Sequence, residues 1–217
     1  MRMHDHANQN RPGSLSTCCG LRRTFPSGHD VLVRPPVVKG KLLLAAPPLV
    51  DPNFDRTVVL VLEHGEDGSL GLILNRPTQE AVGDMLPSWR HFVSGQPVLF
   101  DGGPVEEEAI IGLAWVRDVP EAGFAGLDEG LGTLDLSEDP EHLASRLDDL
   151  RLFRGYAGWS PGQLEDELDA NAWIVVDADR SDPFTPAPDT LWRDVLRRQG
   201  GPLAKMAEHI PDDVSVN

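Results

Sequence analysis

Gly158-Trp159-Ser160-Pro161-Gly162 is the stretch best suited to chemistry, because it matches the pattern G-x-S-x-G. That spacing makes a nucleophile elbow when a strand precedes it and a helix follows, since the sharp turn lifts the serine hydroxyl clear. The pattern of Arg151–Trp159 reads as a strand, and the residues after Gly162 read as a helix. Asp177, Asp179 and Asp182, then His209, follow in the order serine, acid, histidine. Pro161 argues against the elbow. The residue after the nucleophile donates its backbone N–H to the oxyanion hole, and proline has none to give. Losing one such donor costs about 2.7–4 kcal/mol of transition-state stabilisation. No His-Gly-Gly loop upstream supplies the other donor. Ser160-Pro161-Gly162-Gln163 reads instead as a capping box with proline in the first helical turn, which gives the hydroxyl a structural task. A hydrolase built on Ser160 and His209 is therefore the alternative and not the leading reading.

Other chemistry finds less support. There is no G-x-x-x-x-G-K-[ST], and Lys39, Lys41 and Lys205 are the only lysines, so a phosphate-cradling loop is absent. Neither H-E-x-x-H nor C-x-x-C occurs, so no zinc site or other metal is expected, and nothing calls for a cofactor. Glu106-Glu107-Glu108 cannot converge on one ion from a single strand or helix and reads as an exposed charge run. Glu63-His64 could be an acid–base pair but reads as a polar strand exit. Arg193 and Arg197 share one helix face, with Arg198 beside them. That face could meet phosphate, or it could pair with the acids of this chain.

The elements that must position these groups come from periodicity and turn signals. Lys41–Ala46 is a short apolar strand halted by Pro47-Pro48. Thr57–Leu62 is a β-branched run without alternation, which suits a strand buried on both faces. Gly65–Gly68 turns it into Ser69–Asn75, a hairpin. A short helix is expected over Glu80–Leu86, and strands over Pro97–Phe100 and Ala109–Val116. Glu121–Gly132, with four glycines, reads as loop. Asp139-Pro140 begins a helix along which Leu143, Leu147 and Leu150 repeat. A second helix follows Ser160. The last starts at Asp189 or Thr190, carries Leu191, Trp192, Val195 and Leu196, and ends at Gly200. Ala172–Asp177 is a strand. Strands come first and helices concentrate later, which indicates an α+β fold rather than a doubly wound sheet.

Composition narrows the partners. Residues 1–41 hold seven basic side chains against two acidic, a net of +5, which leaves −21 on the rest of a chain whose total is −16. A surface that acidic repels phosphate backbones, so direct nucleic-acid binding by the body is disfavoured, and so is adsorption to membranes. No apolar run reaches the roughly 20 residues of a membrane span, and the N-terminus lacks a secretory pattern. The two cysteines, Cys18 and Cys19, are neighbours and form no disulfide framework, which fits a reducing, cytoplasmic location. Like His4 and His6, they lack a surrounding ligand set. Residues 1–36 read as a disordered basic tail ahead of a single domain over 37–217. A translation start downstream of Met1 would remove part of that tail, and an intact mass of the natively expressed protein decides the point.

Three stretches carry a family resemblance. GKLLLAAPPLVDPNFDRTVVLVLEHGEDGSLGLILNRP at 40–77, DGGPV at 101–105 and GYAGWSPGQLEDELDANAW at 155–173 resemble, in this order, motifs of the YqgE/AlgH family. The resemblance implies an α+β domain whose bent, mostly antiparallel sheet forms a partial barrel flanked by about three or four helices. It implies a fold more than an activity, because the family's label as a transcriptional regulator comes from a link to alginate production and not from a DNA-binding element. The matching positions least like plain core are Asp51, Asn53, Asn75, Gly102, Gly103, Tyr156, Trp159 and Asn171, and these form the candidate pocket. Turn geometry is the competing role for such residues. The leading expectation is a non-enzymatic binding or regulatory protein with a protein or small-molecule partner. A DNA-binding regulator using the last helix and the basic tail is a further alternative.

Overall fold

From Val58 to Leu62 every side chain is buried, which is what a strand sandwiched on both faces requires. Leu60 and Leu62 enter one apolar cluster with Leu72, Phe153 and Trp192, while Val59 and Val61 enter a second with Ile73, Trp159 and Trp173. The protein is described by a computed structural model over residues 38–47, 51, 53–120 and 122–209. The tail expected over 1–36, with Cys18, Cys19, His4 and His6, lies outside those residues.

Ten strands and five α-helices are formed among the described residues. The strands are β1 (Lys41–Ala45), β2 (Val58–Gly65), β3 (Gly68–Ile73), β4 (Pro77–Ala81), β5 (Val98–Asp101), β6 (Val105–Val116), β7 (Phe124–Asp128), β8 (Leu131–Leu134), β9 (Leu147–Trp159) and β10 (Trp173–Asp177). The helices are α1 (Val82–Met85), α2 (Pro140–Leu143), α3 (Gln163–Asp169), α4 (Leu191–Gln199) and α5 (Gly201–His209). The main sheet runs β10-β1-β2-β3-β9-β6-β8-β7, every neighbouring pair antiparallel, and curls into a half-barrel. Strand β5 lies parallel to β9 and pairs with β4 on its other side. This is the α+β, partial-barrel architecture that the resemblance implied.

Four local expectations are corrected. Residues 121–132 do not form a loop, because β7 and β8 make a hairpin there. Two of its glycines are steric necessities: a Cβ on Gly130 would sit 2.5 Å from the Val116 carbonyl oxygen, and one on Gly132 2.4 Å from that of Ala125. The helix begun at Asp139-Pro140 stops at Leu143, and Leu147 and Leu150 belong to β9. Asp139 does cap it, its Oδ1 accepting the Glu141 N–H at 3.0 Å. The segment 80–86 divides between the end of β4 and α1. Finally, the N-cap of α3 is Gly162, at φ 79°, and not Ser160. Only the return half of a capping box survives, with Gln163 Oε1 accepting the Ser160 N–H at 3.0 Å. Helix α4 ends at Gly200 as its sequence requires, and α5 follows at once.

Two arginines tie the helical end to the sheet. Arg151 on β9 is buried, donates to the carbonyls of Pro183 (2.9 Å) and Thr185 (2.8 Å), and lies 4.2 Å above the Phe100 ring. Burial pushes its pKa down to about 10. Arg198 on α4 grips both carboxylate oxygens of buried Asp182 at 2.7 Å each.

Candidate functional site

The turn Asp101-Gly102-Gly103-Pro104 crosses β9 where no side chain fits. A Cβ on Gly102 would lie 2.4 Å from the Gly155 carbonyl oxygen, and one on Gly103 would lie 2.3 Å from the Tyr156 carbonyl carbon. Main chain therefore packs on main chain. The Gly102 N–H donates to the Arg154 carbonyl (2.8 Å), and its carbonyl accepts from the Ile73 N–H (2.9 Å). Gly102 thus bridges β3 and β9.

The neighbouring 51–56 turn is fixed by side chains. Asp51 Oδ1 accepts the Asn53 N–H at 2.9 Å, an Asx turn. Asn75 reaches across with its amide, accepting from the Val58 N–H and donating to the Arg56 carbonyl, each at 2.9 Å. Between this turn and the glycine crossing lies a polar cleft of about 240 Å³, walled by Asn53, Ile73, Arg76, Asp101, Gly103 and Glu107. Arg56 (φ 53°) and Glu106 (φ 49°) flank it in the left-handed region, where non-glycine residues are strained.

The eight candidate positions are distributed by the fold. Asn53 and Gly103 line the polar cleft, and Asp51, Asn75 and Gly102 shape its walls from behind. Tyr156 and Trp159 line a different, shallow cavity with Glu63, Asp67 and Ser160. Asn171, at φ 58°, closes the C-terminal turn of α3 and donates to the Asp169 carbonyl at 3.4 Å.

Trp159 has a structural occupation as well. Its indole N–H and that of Trp173 both donate to Glu167 Oε2, at 2.9 and 2.8 Å, and Gln163 donates to Glu167 Oε1 at 3.0 Å. Phe54 completes the corner, stacked on Trp159 and edge-on to Trp173. Glu167 stands in the acidic stretch Glu165–Asp169, whose composition by itself suggests only a solvated face. The signal for its role is its spacing from the two tryptophans.

The groups of the hydrolase alternative are engaged elsewhere. Asp182 and Asp179 are held by Arg198, Asp177 by Lys41, and His209 bonds the Lys205 carbonyl at 2.7 Å. His64 contacts a different serine, with Nδ1 2.8 Å from Ser69 Oγ and Nε2 3.7 Å from Glu165. The acids also take up arginines of the last helices: Arg197 pairs with Asp194, and Arg198 with Asp182. Among the described residues no cluster of histidine, cysteine and carboxylates could hold a metal ion, and no helix is long and apolar enough to cross a membrane.

A groove of about 750 Å³ is lined by residues of β2, β3, β6, β7 and β8. Its apolar wall comes from Leu70, Ile110, Ile111, Phe124, Leu127 and Leu136, all half-buried. Lys39, Glu63 and Asp135 are its charged residues. Hydrogen bonds from Ser137, backbone first and then side chain, hold the Asp135 carboxyl below the usual carboxylate range. The groove escaped sequence reading because Phe124 and Leu127 sat in what looked like a loop.

A family profile described as AlgH-like matches residues 42–204. The chain belongs to the YqgE/AlgH family. A UPF0301 protein of Streptomyces avermitilis is 48% identical over 183 residues, covering 82% of this chain and 94% of that one. A UPF0301 protein of Nocardia farcinica is 42% identical over 200 residues, covering 90% and 91%. Among solved structures, protein DIP2367 of Corynebacterium diphtheriae superposes with a TM-score of 0.75 at 32% identity, covering 78% of this chain and 91% of that one. The solution structure of AlgH from Pseudomonas aeruginosa gives 0.63 at 28% identity, covering 82% and 96%. In this YqgE/AlgH protein the three motif stretches interlock at one corner: residues 40–77 supply β1 to β3, 101–105 the glycine crossing, and 155–173 the end of β9 with the tryptophan–Glu167 knot.

Proposed function

We propose that this protein is a non-enzymatic binding protein whose ligand is a small cationic amphiphile seated in the groove of the half-barrel. The observation that carries the reading is the groove itself: about 750 Å³, apolar along its walls, with two carboxylates against one ammonium. Cavities of roughly 300–1,000 Å³ with apolar walls and a few polar groups are the usual form of small-molecule sites. The Ser137 hydrogen bonds favour the ionised form of Asp135, which gives that end of the groove a negative charge. The net charge of −16 disfavours nucleic acid as the partner, and two adjacent cysteines suit a reducing, cytoplasmic setting.

Dodecyltrimethylammonium, below its micellar concentration, is a suitable probe. Its sixteen heavy atoms at roughly 0.3 kcal/mol each give about 5 kcal/mol, a sub-millimolar affinity. In an amide NMR titration the shifts are expected on β6, β7 and β8 and around Leu70. Leu70→Gln, checked for an unchanged fold by its amide spectrum, should abolish them. Shifts spread over the whole surface, or none, would reject the groove as the site.

A further inference from the structure

The polar cleft at the glycine crossing is a second and independent site, and we propose that it binds a small zwitterion of the amino-acid class. Its ligand-facing groups are of both signs. Arg76 supplies a guanidinium, Asp101 and Glu107 supply two carboxylates, and Asn53 supplies an amide. Among the described residues the Arg76 guanidinium makes one hydrogen bond, from Nη2 to the Asp55 carbonyl at 2.7 Å. That bond aims the fork and leaves further N–H groups for a ligand. Among the described residues the carboxylates of Asp101 and Glu107 accept no hydrogen bond and neither amide atom of Asn53 has a partner. Asp148, Asp177, Asp182 and Glu167 are by contrast each bonded within this chain.

The ligand follows from charge and size. A carboxylate matches the planar fork of Arg76, and an ammonium matches the paired carboxylates of Asp101 and Glu107. A lone anion would meet two like charges, and a lone metal cation would meet the guanidinium. A zwitterion satisfies both ends. The volume equals about eight water molecules at roughly 30 Å³ each, which admits a free amino acid with a small side chain and excludes a nucleotide. Ile73 and Pro104 give that side chain an apolar wall.

The walls are built to hold still. Gly102 and Gly103 pack against the main chain of Gly155 and Tyr156 too closely for any side chain, and the Asn75 amide locks the opposite turn to β2. Arg56, three residues beyond Asn53, and Glu106, next to Glu107, are left-handed, and strain of this kind is retained where the surroundings over-determine it. A preformed cleft spends little on ordering when it binds.

The test uses the full chain and L-valine, followed by amide NMR and by the Arg76 side-chain signals. Two fragments, 3-methylbutanoate and 2-methylpropan-1-amine, each keep one end of valine, and calcium chloride tests the metal reading. L-valine is expected to shift the Gly102 and Gly103 amides and Arg76, and to bind at least tenfold more tightly than either fragment. Glu107→Gln changes an exposed side chain without structural bonds and should weaken L-valine at least tenfold with the melting midpoint unchanged. Arg76→Gln should do the same to 3-methylbutanoate. No shift with up to 50 mM L-valine, equal binding of either fragment, or displacement of the response by calcium would each overturn the proposal. Dodecyltrimethylammonium should leave the cleft signals unmoved, so the two sites fail or stand separately.

Discussion

Glu167 sits between two indole N–H groups, and its other oxygen accepts from Gln163. Trp159 and Trp173 are each only 5% exposed, so Glu167 is the main partner of both indole N–H groups. Removing the acceptor leaves two buried donors unpaired, at about 1–3 kcal/mol each. Glu167→Ala is accordingly expected to destabilise the protein by about 3 kcal/mol in urea unfolding. Glu167→Gln keeps an acceptor oxygen and should recover about half of that loss. Equal losses in the two variants would mean that the charge, and not the acceptor, holds the corner. The indole N–H signals of Trp159 and Trp173 in an NMR spectrum follow the contact directly, whereas fluorescence would sum over five tryptophans. The same residue explains why Trp159, though it borders a cavity, is better understood as a strut than as a ligand contact.

At the scale of elements, Asp148 at the start of β9 joins three segments. It accepts from Arg117 beyond β6 and from Arg180 beyond β10 (2.9 Å), and Arg180 in turn lies 4.5 Å over the Trp115 ring. The hydrogen bond from Arg117 is the main reason its carboxyl is held below the ordinary value of 3.8, against a smaller opposing effect of desolvation. A depressed carboxyl stabilises the fold above its unfolded pKa, and that contribution is lost as pH falls through the folded value. Asp148→Asn should therefore lower the melting midpoint by a constant amount between pH 7 and pH 5, with the gap to the parent closing below about pH 4. A gap that does not narrow at all between pH 5 and pH 2 would show that the aspartate acts by shape alone. Legibility also divides at this scale. Strands β1, β2 and β3 were readable because apolar runs bounded by Pro and Gly leave few alternatives, and β10 because a short apolar run lies between Asn171 and Asp177. The β7–β8 hairpin was not, because Gly126, Gly130 and Gly132 look like loop residues. In the fold a Cβ on Gly130 would lie 2.5 Å from the Val116 carbonyl oxygen and one on Gly132 2.4 Å from that of Ala125, so these glycines let backbones approach. Leu143, Leu147 and Leu150 imitate a helical stripe by coincidence of spacing, while 150–153 are buried on both faces of a strand. Of the polar cleft, Asn53 and Gly103 were legible as turn residues. Arg76, Asp101 and Glu107 were not, since charges on separate strands leave no spacing signal.

For the molecule as a whole, a net charge of −16 sets two electrostatic effects against each other. Ion pairs such as Arg154–Glu80 and Arg197–Asp194 are half or more exposed on at least one side, and pairs of that kind contribute about 0–1 kcal/mol each. Repulsion among the excess carboxylates acts over the entire surface and opposes the compact state. Salt weakens both, but not equally. The Debye length is about 30 Å at 0.01 M and about 10 Å at 0.1 M, so modest salt removes long-range repulsion first and leaves pairs in contact nearly intact. The melting midpoint is therefore expected to rise by several degrees between 10 mM and 200 mM sodium chloride and then level off. A plateau at these concentrations separates screening from the steady rise that excluded salts produce through apolar burial. A falling midpoint would mean that the arginine–carboxylate ties around β9 and α4 outweigh the repulsion. The same field bears on the groove: its two carboxylates stand within an acidic surface, so a cationic amphiphile should associate faster at low salt, whereas a neutral one should be indifferent.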